Sequence, residues 1–112
     1  IRELYRDRKI TAIFQPHLYT RTRDFYTDFA RALSLLDEVI LCDIYPAREQ
    51  PIHGVTSRLI YDQLAPGVKK ELIHKEDVPD WVRNHDSDVL IILGAGDLND
   101  YVPQIKAILE TK

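Results

Sequence analysis

The chain has 112 residues, 45% hydrophobic and 29% charged, and its 15 Lys and Arg against 18 Asp and Glu leave a formal net charge of -3. A chain of that size holds one domain around one core, and the composition is that of an ordered globular protein. It offers no basic field for nucleic acid and no apolar run near the ~20 residues of a membrane helix, so neither nucleic acid nor a membrane is expected as a partner.

Cys42 is the only cysteine, which excludes a disulfide within the chain. Its place in the run Val39-Ile-Leu-Cys reads as a small buried hydrophobe, and a lone cysteine fits a reducing, cytoplasmic setting. No secretory signal pattern opens the chain. It starts at Ile1 rather than Met, so it carries no information about what precedes it. His17, His53, His74 and His85 lack ligand-like spacing with a cysteine or an acidic pair, and no metal site is expected.

Residues 1–8 hold Leu4 and Tyr5 among charges, a helical fragment too short to weigh. The first strand is predicted over Ile10–Phe14, whose near-continuous apolar character suits a parallel strand covered on both faces. Gln15-Pro16-His17 breaks it, because Pro16 lacks a donor and biases Gln15 toward an extended shape. A helix is predicted from Thr22 to Leu36, with Phe25, Phe29, Leu33 and Leu36 as its apolar stripe, Thr22 as its cap and Asp24 at its positive end.

The second strand is predicted over Val39–Ile44, with Asp43 near its carboxyl end. The loop Tyr45–Val55 contains Pro46, Pro51 and Gly54 and exceeds the usual ~2–6 residues of a strand-to-helix connection, which points to function. Thr56 or Ser57 caps a short helix reaching Ala65, with Leu59, Ile60 and Leu64 inward, and Pro66-Gly67 stops it. Val68–Ile73 is the weakest strand, and its charges suit an edge. Asp77 opens a helix carrying Val78, Trp81, Val82 and His85. Val89–Leu93, the most hydrophobic strand, is expected at the sheet centre and runs into Gly94-Ala-Gly-Asp97. A last helix spans Asp100–Glu110, with Val102, Ile105 and Leu109 inward.

Four strand-plus-helix units predict an α/β fold in three layers, with helices on both faces of a mostly parallel sheet. In such a sheet the carboxyl ends of the strands share one rim. His17, Arg21, Asp43, Ser57 and the Gly94–Asp97 turn therefore converge on one crevice. His17, Tyr19 and Arg21 are the sharpest candidates. An arginine at a strand-to-helix junction grips a carboxylate, and the unpaired amides of the helix start favour an anion; surface salt bridging is the plain alternative. Arg23 lies inside the helix and ranks lower. Asp43 either orients a ligand amine or a basic partner side chain, or caps its own loop, while Tyr45 and Arg48 can line the crevice. Ser57 reads first as a helix cap. No nucleophile elbow supports a Ser57–His17–Asp43 hydrolase set, and no residue is read as catalytic. The turn Gly94-Ala95-Gly96-Asp97 lacks a full dinucleotide fingerprint.

Three ordered segments carry a resemblance: Phe14-Gln-Pro-His-Leu-Tyr-Thr-Arg-Thr-Arg-Asp24; Asp43-Ile-Tyr-Pro-Ala-Arg-Glu-Gln-Pro-Ile52 with Gly54 and Ser57-Arg58; and Gly94-Ala-Gly-Asp97. Together they resemble the carboxy-terminal domain of the UDP-N-acetylmuramate–L-alanine ligases, a branch of the Mur ligases of peptidoglycan synthesis, from about Lys9 to Lys112. The resemblance implies a Rossmann-like domain with a further strand, antiparallel, that the pattern does not place. It implies that His17 and Arg21 serve the carboxylate of L-alanine or the acyl-phosphate substrate nearby. Leu18 stands where the family commonly has a basic residue. Gly94, Ala95, Gly96 and Asp97 would form a cleft wall facing a central ATP-binding domain.

The resemblance further implies the reaction. ATP phosphorylates the lactyl carboxylate of UDP-N-acetylmuramate, and the amine of L-alanine attacks the acyl phosphate. ATP and Mg would be held mainly outside residues 1–112, since no Gly-rich loop ends in Lys-Ser or Lys-Thr. The amino-terminal and central domains of such an enzyme, and the Asp-Tyr-Gly-His-His-Pro segment that opens this one, would lie before Ile1. The fragment alone is then expected to be inactive. A recycling ligase that joins a tripeptide to the same sugar, a free-standing Rossmann-like anion or nucleotide module and a purely structural partner domain remain alternatives.

Overall fold

The structure, a computed structural model, describes residues 8–86, 88–94 and 96–111, with the backbone alone at 96, 97 and 99. The helical fragment read at the start of the chain therefore falls mostly outside the described residues. Four strands form one sheet: β1 (Ile10–Gln15), β2 (Glu38–Leu41), β3 (Lys69–Leu72) and β4 (Val89–Gly94), in the order β3-β2-β1-β4. Every pairing is parallel. The further antiparallel strand is not among the described residues.

Four helices cover the sheet: α1 (Tyr19–Leu33), α2 (Arg58–Gln63), α3 (Val78–Asn84) and α4 (Val102–Glu110). Single 3-10 segments, Lys75–Asp77 and Gly96–Tyr101, lead into α3 and α4. The period of two along β1 and β2 sends side chains alternately to the two faces. Ala12, Val39 and Leu41 pack with Ala30 and Leu33 of α1 and with Ile60 of α2. Ile13, Ile40 and Cys42 pack on the other face with Val78, Trp81 and Val82 of α3 and with Ile105 of α4. Two inner strands thus feed both halves of the core, and the α/β reading holds.

The most hydrophobic strand is not central. Among the described strands β4 lies at the edge, its residues 89–92 half-buried and Leu93 38% exposed. The centre belongs to β1 and β2, whose residues at positions 10, 12, 13, 39, 40 and 41 are fully buried. Hydrophobicity reports how much apolar surface a strand offers, but the strand order is set by the crossovers. β3 is an edge strand as its charges suggested.

Three helix readings also change. α1 begins after Leu18, three residues before the expected cap, so Thr22 is buried within the helix and its hydroxyl donates to Leu18 O at 2.9 Å. Asp24 then lies beyond the first turn and pairs with Arg23 at 2.9 Å. Phe29, Leu33 and Leu36 pack inward as expected, but Phe25 is exposed, and Thr22, Tyr26 and Ala30 complete the inward line. In α4, Ile105 faces inward as expected, but Val102 and Leu109 are exposed, and Ile108 packs inward in their place.

Candidate functional site

The carboxyl ends of β1 and β4 lie side by side, with Gln15 paired to Gly94. The segment after β1 and the turn after β4 therefore share one rim. Gly94 has φ +147°, and a Cβ there would stand 2.9 Å from Gln15 O, so the chain approaches itself too closely for a side chain. Gln15 is buried, and its Oε1 accepts from Leu98 N–H at 3.0 Å, which ties the segment after β4 to β1. Ala95 lies outside the described residues, and Gly96 and Asp97 are placed by backbone only, at the start of the 3-10 segment.

Beyond Pro16 the pairing of β1 with β2 resumes. Tyr45 N–H donates to Pro16 O and Leu18 N–H to Tyr45 O, both at 2.8 Å, and His17 and Tyr45 form a parallel bridge. Their rings stack with centroids 5.8 Å apart. The loop after β2 thus lies against the loop after β1, placing Tyr45 and Arg48 on a segment that adjoins His17 and the start of α1, where Tyr19 and Arg21 stand. Arg21 is exposed in the first turn of α1, a turn that contains no acid of its own. A cation there opposes the helix dipole at a cost of about 0.3–1 kcal/mol, so its placement is not a product of helix stability.

Two of the amides expected to be open to a ligand at this helix start are filled from within the chain. Glu49 Oε1 accepts Tyr19 N–H at 2.6 Å and Thr20 N–H at 3.2 Å, and Glu49 Oε2 accepts the Thr20 hydroxyl at 2.6 Å. The Thr20 hydroxyl pulls the Glu49 carboxyl below its usual 4.5, and the two amides add to that pull against burial. Local reading missed Glu49 because its partners lie 29 and 30 residues away.

Asp43 follows the end of β2, and His74 follows β3. His74 Nδ1 and Asp43 Oδ2 are 2.7 Å apart, and the hydrogen bond to Asp43 raises the imidazole above 6.5. They line an open cavity of about 410 Å³ together with Thr56, Ser57, Arg58 and Asp77. His74 is exposed, and its contact with Asp43 had no signal in the spacing. Ser57 stands at the cap position of α2 without capping it; its buried hydroxyl donates to Cys42 O instead. Cys42 is fully buried, and burial pushes its thiol up to about 12, so it serves as core. His85 stacks on Trp81 at the end of α3, with ring centroids 4.2 Å apart. Among the described residues no group of three or more His, Cys, Asp and Glu is placed to hold a metal ion, and no helix is long and apolar enough to cross a membrane.

No family model matches the chain. Curated relatives do. A UDP-N-acetylmuramate–L-alanine ligase of Phocaeicola vulgatus is 66% identical over 112 residues, covering 100% of this chain and 24% of the relative. The chain belongs to the Mur ligase family. Ligases of the same name from Porphyromonas gingivalis and Cytophaga hutchinsonii are 54% and 40% identical over 112 residues, covering 99% and 100% of the chain and 24% of each relative. The chain therefore spans about a quarter of the length of these relatives and corresponds to their carboxy-terminal domain. The Rossmann-like architecture that the Mur ligase likeness implied agrees with the parallel sheet and its two helical layers.

Proposed function

We propose that this domain presents the amino-acid acceptor in an ATP-dependent ligase that joins L-alanine to UDP-N-acetylmuramate in peptidoglycan synthesis. The observation that carries the reading is the rim itself. In a chain 66% identical to a ligase of that name, His17 stands on the loop after β1 and Arg21 in the first turn of α1 that follows it, with Tyr45 and Arg48 on the loop laid against them. Arg21 would grip the acceptor carboxylate, with the His17–Tyr45 stack as the wall beside it. Asp43 would meet the amine, and the turn at Gly94, Ala95, Gly96 and Asp97 would face the central domain of the same polypeptide. Holding the acceptor in place converts an encounter into an oriented reaction, and closing the cleft keeps water from a hydrolysable acyl phosphate.

Among the described residues nothing marks a site for the nucleotide or its magnesium. The α1 amides that would cradle a phosphate are taken by Glu49, and no acidic cluster among the described residues suits the metal. Those groups belong, in this reading, to the central domain, and the amino-terminal domain holds the sugar nucleotide. The isolated domain is then inactive, and the enzyme works in the cytoplasm. The relatives' shared name favours L-alanine over a tripeptide, and ligation over a free-standing binding module.

The test is Arg21→Ala in the full-length ligase. Hydrogen bonds to charged groups contribute about 1.5–3 kcal/mol, so the KM for L-alanine should rise roughly 10- to 100-fold. An unchanged alanine KM removes Arg21 from the acceptor site.

A further inference from the structure

α1 starts without a cap of its own. Leu18 at the cap position has no side-chain acceptor, and the first turn contains no acidic residue. A helix beginning so leaves its first amides open. Glu49 closes this one from the β2–α2 loop, taking two amides and a hydroxyl with a single carboxylate.

The same two loops meet a second time through the His17–Tyr45 bridge and the 2.8 Å bond from Leu18 N–H to Tyr45 O. Each loop also contains a non-glycine residue with positive φ, Leu18 at 71° and Ala47 at 53°. Such residues cost on the order of 1–3 kcal/mol each and persist where the surroundings over-determine them. The Glu49 bonds and the bridge provide that determination, and they make the two loops one lip.

We propose that Glu49 is a positioning residue for the amino-acid acceptor: it locks this lip and, by filling the α1 amides, leaves the acceptor carboxylate to the side chains of Arg21 and Arg48. The proposal rests on the acceptor reading above. Glu49 touches no substrate in this scheme and acts through the placement of α1 and of the loop that carries Arg48.

The experiment is steady-state kinetics of the full-length ligase with each substrate varied in turn. Glu49→Ala should raise the KM for L-alanine about tenfold and leave those for ATP and UDP-N-acetylmuramate unchanged, since displacing a binding group by about 1 Å is enough for a loss of that order. Glu49→Gln, which keeps an oxygen for the amides, should recover most of the alanine KM. Thr20→Val removes the hydroxyl bond alone and should raise it about threefold. An unchanged alanine KM in Glu49→Ala, or an equal rise for all three substrates, overturns the proposal. If Glu49→Ala does not fold, Thr20→Val decides, and an unchanged alanine KM there overturns it. The Arg21→Ala variant separates the two claims: no effect there ends the acceptor reading and this inference with it. An effect there with none at Glu49 ends this inference alone.

Discussion

At the residue scale, the rim holds two acid–base contacts that depend on pH in opposite senses. Glu49 is depressed below 4.5, so its contribution is present above that value and lost as pH falls through its lowered midpoint. His74 is raised above 6.5, chiefly by its hydrogen bond to Asp43, so its contribution is full below 6.5 and lost as pH rises through the raised midpoint. The first senses acid, the second senses the neutral range. By NMR, the His74 imidazole should titrate above 6.5 in the native protein and return toward it in Asp43→Asn. A midpoint that does not move between the two proteins would show that Asp43 is not its partner in solution. Neither contact was legible in the sequence: Asp43 and His74 are 31 residues apart and meet only because β2 and β3 end side by side.

At the scale of elements, the sequence located every strand and helix but not their ends. Pro16 ends β1 as expected, yet the ladder resumes at His17 and Tyr45, because a proline removes only its own donor and its carbonyl still accepts. α1 starts earlier than its own residues suggest because its cap comes from Glu49. At Gly94 the chain passes too close to β1 for a side chain. Gly94→Ala puts a methyl group 2.9 Å from Gln15 O at φ +147°. It should destabilise the fold by at least about 2 kcal/mol, from overpacking and backbone strain together. Because the strain sits at the β1–β4 junction, amide exchange should accelerate first in β4. A variant as stable as the parent in urea would show that the junction yields.

At the scale of the whole molecule, β1 and β2 feed side chains to both core clusters, so neither half can pack without the other. Unfolding should therefore be one cooperative step. Fluorescence of Trp81, buried on the α3 side, should coincide with the far-ultraviolet dichroism of all four helices. Ile40→Ala should lower the stability by about 2–5 kcal/mol in that same single step. Separate transitions by the two probes would mean the layers are independent. The sequence by itself determined the α/β class, the parallel pairing and the rim on which His17, Arg21, Asp43 and Gly94 stand, because a repeating strand-and-helix order with right-handed crossovers leaves few other arrangements. Only the tertiary structure decided which strands are inner, which carboxylate caps α1 and which histidine Asp43 meets. Those depend on strand order and on loops that touch across about thirty residues, and local periodicity has no information about either.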